Sequence, residues 1–533
     1  MPRQRKDGLE TFELHALDAK AARALRAWRP STPLAHLDPE TAAKRYLQHF
    51  DAPLAGGVAT DFKSLGIESE PLTGTRIVKF RQTLHKIPVY GTLITIELDE
   101  HNALIGIGAT TGRPTRVNAV AKLSPAEAMR AIARQPGHAK TLDGIVPHLN
   151  YYFDIAAAKW RLVYIAEDVP TGPATTAKRQ PGSVPKLMDY VVDAHSGAVV
   201  AELPRTPTLA GAIQTAVDGL GKSRTFRAET AGSARRRLIN PLLNVHTFDF
   251  RFRDLHTDAK LLPGHLVTHP PAPWAPAAVS AHANAEAVAT FLRLVLLRHN
   301  IDNQGGPVIS SINCMVTGES NGSKEWINAA WHGTQMVYGQ RRDGKGLLSL
   351  AINLGVVGHE MFHGVTNFTS RLEYRSETGA LNESYSDIFG VIIANYPNPV
   401  ARKWDWEIGK GLAPSGAPFR DMKDPGRFGQ PAHMRAYKRR PLSNDCGGVH
   451  LNSGIHNHAA YMILTAPAVN PTEVAAVFYL ALAHRLSRTS NFLDSRRAVI
   501  ASARTLFRHL PPARAAAKIK AIQRGFQSAG IEA

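Results

Sequence analysis

The run Val356-Val357-Gly358-His359-Glu360-Met361-Phe362-His363 constrains this chain more tightly than any other segment. At 3.6 residues per turn, His359 and His363 stand on one face of a helix, one turn apart. Two imidazoles so placed can take adjacent corners of a tetrahedral zinc, with Glu360 directed near the open fourth position. Five residues alone are a weak signal, so their surroundings decide. A zinc hydrolase needs a third protein ligand and a fourth site left to water. Downstream lies Gly379-Ala380-Leu381-Asn382-Glu383-Ser384-Tyr385-Ser386-Asp387, in which Glu383 and Asp387 are four residues apart and face the same way on a second helix. Glu383 is the natural third ligand. Asp387 can accept the far ring N–H of His359 and so fix its tautomer. The plain alternative for this pair is a solvated helical face. The apolar neighbours Leu381, Ile388, Phe389 and Val391 to Ile393 speak against it.

These segments resemble the thermolysin-like zinc metallopeptidases, and further matches keep order and spacing. Asn328-Ala329-Ala330-Trp331 through Gly339 resembles the family's substrate-binding edge strand. Tyr374 stands eleven residues after His363, at the place of the catalytic tyrosine. Asp445-Cys446-Gly447-Gly448-Val449-His450 resembles the catalytic-histidine segment, and Arg420 matches an arginine that contacts a substrate carbonyl. The resemblance covers roughly 209–533. It implies one catalytic Zn²⁺ on His359, His363 and Glu383, and Glu360 as the base. Tyr374 and His450 become oxyanion donors, with Asp445 orienting His450. Asn328, Ala329 and Arg420 would hold an extended peptide, and Leu347, Leu350, Val356 and Phe419 would line an apolar primed-side pocket.

Less specifically, Gln82 to Gly91 is similar to a fungalysin/thermolysin propeptide module, and 122–202, ending in Tyr190 to Val200, to a PepSY module. The resemblance implies an α+β chain: an N-terminal propeptide of small antiparallel sheets with helices, then a two-lobed catalytic domain. Its N-lobe is β-rich, its C-lobe helical, and the zinc site lies in the cleft between. The expected divisions are 1–50, helical or partly disordered; 51–121, propeptide-like; 122–205, PepSY-like; 209–370, the β-rich lobe with the His359–His363 helix; and 371–533, the helical lobe. Leu203-Pro204-Arg205-Thr206-Pro207-Thr208 reads as the linker, with maturation near 205–210. Within these, Ser124-Pro125-Ala126-Glu127 predicts a capped helix start, and helices are expected over 279–299, 354–369, 379–395, 450–466, 472–486, 492–507 and 514–529.

Three departures stand out. The family's paired-calcium site needs several carboxylates. Asp405 and Glu407 are present, but Gly355, Ala394 and Lys410 occupy the other positions. An ammonium in place of a carboxylate predicts weak or absent Ca²⁺ dependence. Ala330 replaces a common aromatic, which would open the unprimed side of the cleft. Finally, the first residues carry no apolar core of a signal peptide, whereas most relatives are exported. A misplaced start, non-classical export and work inside the cell all stay open.

The formal charge of +19 raises nucleic acid as a partner. The runs Arg235-Arg236-Arg237 and Lys438-Arg439-Arg440 are short, far apart and unaccompanied by a nucleic-acid-binding motif, so a solvated basic surface is expected instead. No apolar run of about 20 residues predicts a membrane span. Cys314 and Cys446 can make at most one bridge; free thiols are expected. His456, His458, His269 and His282 read as surface or packing residues. The expected partners are therefore protein or peptide substrates and the chain's own propeptide, acting as inhibitor and folding aid on a monomer. An inactive or self-inhibited homologue acting as a binding protein is the alternative. It would be expected to lose Glu360, a ligand or His450, and all are present.

Overall fold

The computed structural model describes residues 3–4, 8–15, 34–55, 60–135, 144–171, 186–204, 223–231, 235–269, 274–318, 323–344, 346–413 and 415–532. The expected linker and maturation site at 205–210 lie outside the described residues.

Alternation of apolar and polar residues builds the first sheet. Its strands run in the order Arg3–Gln4, Leu9–His15, Leu104–Gly112, Leu93–Leu98, Thr75–Leu84, Asp61–Glu70, all antiparallel. Helix α1 (Pro39–Ala55) closes one face, burying Ala42, Ala43, Tyr46 and Leu47 with Val78, Phe80, Ile94, Ile96 and Ile107. Two features differ from the expectation for this region. Leu9–His15, placed by its composition in a helical or disordered stretch, is a strand paired with Gly106–Gly112. Helix α1 also runs through the expected division at 50/51. Strand pairing across about 100 residues is decided by the partner, not by local propensity.

The second sheet orders Val199–Pro204, Lys186–Asp193, Lys159–Thr171 and His148–Asp154, again antiparallel. Helix α2 (Pro125–Ala133) packs on it. Its start carries the expected capping box: Ser124 Oγ accepts from Glu127 N at 3.3 Å, and Glu127 Oε2 accepts from Ser124 N at 2.8 Å.

A third, mixed sheet follows, in the order Ile239–Asn240, Val245–Asp254, Val308–Met315, Met336–Asp343, Trp326–Trp331. Val245–Asp254 and Val308–Met315 are parallel, so a crossover is required, and helix α3 (Pro276–Leu294) supplies it. Trp326–Trp331 is antiparallel to its neighbour Met336–Asp343. The remainder is helical: α4 (Leu354–Asn367), α5 (Ser376–Asn395), α6 (Asp445–Leu464), α7 (Pro471–His484), α8 (Phe492–Leu506) and α9 (Pro512–Ser528). One continuous apolar core joins the third sheet to these helices. Among the described residues no helix is long and apolar enough to cross a membrane. Cys314 and Cys446 do not pair.

Two contacts position the site. Helices α4 and α5 approach so closely that a Cβ on Gly390 would lie 2.5 Å from the Gly355 carbonyl oxygen. The N-terminal sheets dock on the helical lobe through polar and charged side chains. His484 lies 3.1 Å from Glu68 and 2.6 Å from Glu70, and Arg485 pairs with Glu97. Arg371 and Arg488 meet Glu167 at 3.2 and 2.6 Å, and Arg375 donates to the Tyr152 hydroxyl at 3.2 Å.

Candidate active site

Helix α4 is capped by Asn353, whose side chain accepts from Val356 N. From that start, Gly358 through Thr366 are all buried, so the helical period carries His359 and His363 inward toward α5. Their Nε2 atoms are 3.2 Å apart. Glu383 on α5 faces both, with Oε2 at 3.5 Å from His359 Nε2 and Oε1 at 3.3 Å from His363 Nε2. All three side chains are fully buried. Behind them, His359 Nδ1 lies 2.8 Å from Asp387 Oδ1. His363 Nδ1 faces Asn382 Oδ1 at 2.8 Å and Ser386 Oγ at 3.1 Å. Each imidazole is thus turned by a fixed partner so that Nε2 points at Glu383.

Glu360 takes its Oε2 back to the edge strand, where the Trp331 amide donates to it at 3.2 Å. Burial, with the nearby Glu383 charge, pushes its carboxyl well above the usual range. Opposite, Tyr374 donates from its hydroxyl to Glu383 Oε1 and lies 3.2 Å from His450 Nε2. The His450 segment is shaped by an unusual backbone. Asp445, Cys446, Gly447 and Gly448 all have positive φ, at 54°, 45°, 89° and 83°, before α6 becomes regular. The two glycines make this run accessible. It folds Asp445 back so that its carboxylate accepts from the His450 amide at 3.0 Å and from His450 Nδ1. Burial works against charge on His450, but the Glu383 and Asp445 carboxylates raise its pKa to about 9.

Arg420 is 3% exposed and forked onto Asp387. Among the described residues its Nη1 makes no hydrogen bond. Asn328 and Ala329 are buried on the edge strand, and the Asn328 carbonyl of the side chain accepts from Ala329 N at 3.0 Å. Leu350 and Val356 lie in the core with Phe419 packed against it, whereas Leu347 is 40% exposed.

Two family descriptions match the sequence: the thermolysin metallopeptidase catalytic domain over residues 215–367, and the thermolysin metallopeptidase alpha-helical domain over 370–531. A bacillolysin of Bacillus amyloliquefaciens is 31% identical over 486 residues, covering 88% of this chain and 86% of its own. The chain belongs to the thermolysin family of metallopeptidases. A bacillolysin of Brevibacillus brevis is 30% identical, covering 85% of this chain and 83% of its own. The precursor of protealysin from Serratia proteamaculans is 29% identical, with a TM-score of 0.45 over 58% of this chain and 91% of its own.

As a thermolysin-family metalloendopeptidase, the chain requires a zinc site, and its residues fit one. The ligand atoms of His359, His363 and Glu383 all lie within 4.8 Å of one another. Glu383 Oε2 is buried without a hydrogen-bond partner, a costly arrangement that a bound cation would relieve. Two neutral imidazoles and one carboxylate are a donor set suited to zinc.

Where the sequence predicts a weakened calcium site, the carboxylates meet cationic side chains. A cavity of about 360 Å³ is lined by Asn353, Gly355, Ala394, Asp405, Glu407 and Lys410, among others. Lys410 Nζ lies 3.1 Å from Asp405 Oδ2 and 2.5 Å from Glu407 Oε2, and Arg427 Nη1 is 2.5 Å from Glu407 Oε1. Side-chain cations of the protein therefore already neutralise both carboxylates.

Several groups in or near this site carry no mark of their role in the sequence. Asn382 and Ser386 orient His363, yet only their membership of the Glu383 segment hinted at it. The Trp331 amide is a backbone donor with no side-chain signature. His456, read as a surface or packing residue, is fully buried between hydroxyls.

Proposed function

We propose that this thermolysin-family chain is an endopeptidase zymogen whose N-terminal sheets inhibit and then leave the catalytic part by cleavage near 205–210. The carrying observation is the convergence of His359, His363, Glu383, Glu360, Tyr374 and His450 from four separate segments on one point. Bound zinc would polarise the scissile carbonyl and bring the pKa of its water toward ~7. Glu360, desolvated and therefore basic when ionised, takes a proton from the attacking water and delivers it to the leaving amine. The Tyr374 hydroxyl and the His450 Nε2–H donate to the carbonyl oxygen as it gains negative charge. Asp445 keeps the His450 ring in the orientation that presents Nε2.

Peptide binding follows from the same walls. Asn328 and the Ala329 backbone offer an edge strand to an extended substrate, and Arg420 Nη1 is the free donor for its carbonyl. The apolar side chains of Leu347, Leu350, Val356 and Phe419 favour a bulky apolar residue on the primed side. Inhibition is supported by where the N-terminal sheets grip: Arg371 and Arg375, both held by them, flank Tyr374 in sequence. The proposal includes a monomeric, exported enzyme, checked by light scattering and by assaying the culture medium against cell contents. The Lys410 pairing supports zinc-only metal dependence.

The purified full chain is incubated with casein beside its Glu360→Ala variant. Wild type is expected to lose about 20 kDa and hydrolyse casein, while the variant stays full length with zinc bound. Identical maturation of both would end the self-processing claim, and a matured wild type inert toward casein would end the protease claim.

A further inference from the structure

Asp387 is surrounded by four donor nitrogens. Its Oδ1 faces His359 Nδ1 at 2.8 Å and Arg420 Nη2 at 2.6 Å; its Oδ2 faces Arg420 Nε at 2.9 Å and Asn457 Nδ2 at 2.8 Å. The last contact opens a path that leaves the site. Ser384 Oγ lies 2.6 Å from Asn457 Oδ1 and 2.8 Å from His456 Nδ1. His456 Nε2 lies 2.9 Å from Ser495 Oγ, which is 2.9 Å from the Tyr385 hydroxyl. Every side chain on this path is buried. The path crosses three helices, since Ser384, Tyr385 and Asp387 stand on α5, His456 and Asn457 on α6, and Ser495 on α8.

The direction of each bond follows from its carboxylate end. An ionised carboxylate only accepts, so Asn457 must turn its NH₂ to Asp387 and its carbonyl oxygen to Ser384. Ser384 must then donate its single O–H to Asn457, and can only accept from His456. That puts the His456 proton on Nδ1 and leaves Nε2 to accept from Ser495. Ser495 in turn accepts from Tyr385. Burial drives the His456 pKa down to about 3, so the ring is neutral, as the path requires. All the donors point one way, toward Asp387, and hydrogen bonds so aligned polarise one another.

We propose that His456 is a positioning residue for the zinc site: through Ser384 and Asn457 it holds Asp387, and through Asp387 it holds the His359 ring and its Nδ1–H tautomer. The inference rests on the reading of His359 as a zinc ligand. Its surroundings allow a clean test. The His456 ring stacks on Phe492 at 5.6 Å and neighbours Tyr385, Phe478 and Phe526, so phenylalanine suits the space while removing both nitrogens.

The test uses the full-length chain carrying Glu360→Ala, which keeps it homogeneous. Zinc dissociation constants are measured by competition with a chromophoric chelator for the parent, Ser384→Ala, His456→Phe and the double variant. Residues directly behind a metal ligand, as Asp387 is, change affinity 10–100-fold; Ser384 and His456 lie two and three hydrogen bonds further out, so each single variant should weaken zinc binding by less, about two- to fivefold. The double variant should be no weaker than the weaker single, because both cut one path. Ring ¹⁵N shifts should report His456 as the neutral Nδ1–H tautomer.

Unchanged zinc affinity in Ser384→Ala, fully additive losses, or an Nε2–H tautomer would each overturn the inference. Ser384→Ala removes one buried oxygen and carries the affinity test if His456→Phe does not fold. A parent chain that binds no zinc would sink the metal-site reading itself, and this inference with it. A parent that binds zinc beside unaffected variants would sink this inference alone.

Discussion

Arg420 closes a fork on Asp387, with Nη2 at 2.6 Å from Oδ1 and Nε at 2.9 Å from Oδ2, and both residues are almost wholly buried. Burial opposes the Asp387 charge, yet Arg420 and then His359 hold its carboxyl down at about 2. Removing the guanidinium leaves a buried carboxylate short of its principal partner. Arg420→Ala should therefore cost roughly 3–5 kcal/mol in denaturant unfolding. Arg420→Lys should recover only part of this, because an ammonium cannot match both oxygens. A loss below ~1 kcal/mol for Arg420→Ala, the scale of an exposed pair, would mean that the fork is not structural.

Tyr374 and His450 lie 3.2 Å apart, and both reach Glu383 Oε1. If the hydroxyl of Tyr374 serves the developing oxyanion, Tyr374→Phe should lower kcat by about 100-fold with little change in KM. A variant with a raised KM and unaltered kcat would place the hydroxyl in ground-state binding instead.

The glycine at position 390 permits the crossing of α4 and α5. Its added Cβ would meet the Gly355 carbonyl oxygen at 2.5 Å and His359 Cβ at 3.3 Å. Gly390→Ala should destabilise by about 1–3 kcal/mol through displaced backbone. The same shift moves His359, so zinc should also bind more weakly. A variant that melts like the parent would show that the two helices can separate at no cost.

Lys410 stands between Asp405 and Glu407 where a divalent cation would need them. Chelator-inactivated enzyme should regain activity with zinc alone, and added calcium should leave its melting temperature unchanged. Lys410→Ala should cost under about 1 kcal/mol, because the pair is half exposed. Strict loss of stability on calcium removal would refute this reading.

At the contact between the N-terminal sheets and α7, burial opposes the charge of Glu68, but His484 and Lys79 bring its pKa to about 2 from 4.5. The folded value is the lower one, so Glu68 adds stability above pH 4.5 that fades as pH falls toward 2. Its 46% exposure keeps the contribution small, under about 1 kcal/mol. Melting curves of the full chain between pH 5 and 2 should be flatter for Glu68→Gln than for wild type. Parallel curves would exclude the group.

The chain's own order of residues determined what repeats locally. Helical period alone stacked His359 over His363 and put Glu383 beside Asp387, and Ser124 with Glu127 marked a helix start that the structure reproduces. The opposite charges of Asp405 and Lys410 were legible as neighbours in the sequence, and the structure brings them to 3.1 Å. Three-dimensional packing decided the rest, because its partners lie far apart in sequence. Leu9–His15 becomes a strand only beside Gly106–Gly112. Arg427 finds Glu407, and Arg420 finds Asp387, across loops whose paths no local propensity sets. His456 most clearly marks the boundary: an isolated histidine on one helix has no stated role until α5 and α8 bring Ser384 and Ser495 to its two nitrogens. Local periodicity fixes which way a side chain faces, whereas a buried polar group takes its meaning from whatever the fold places opposite it.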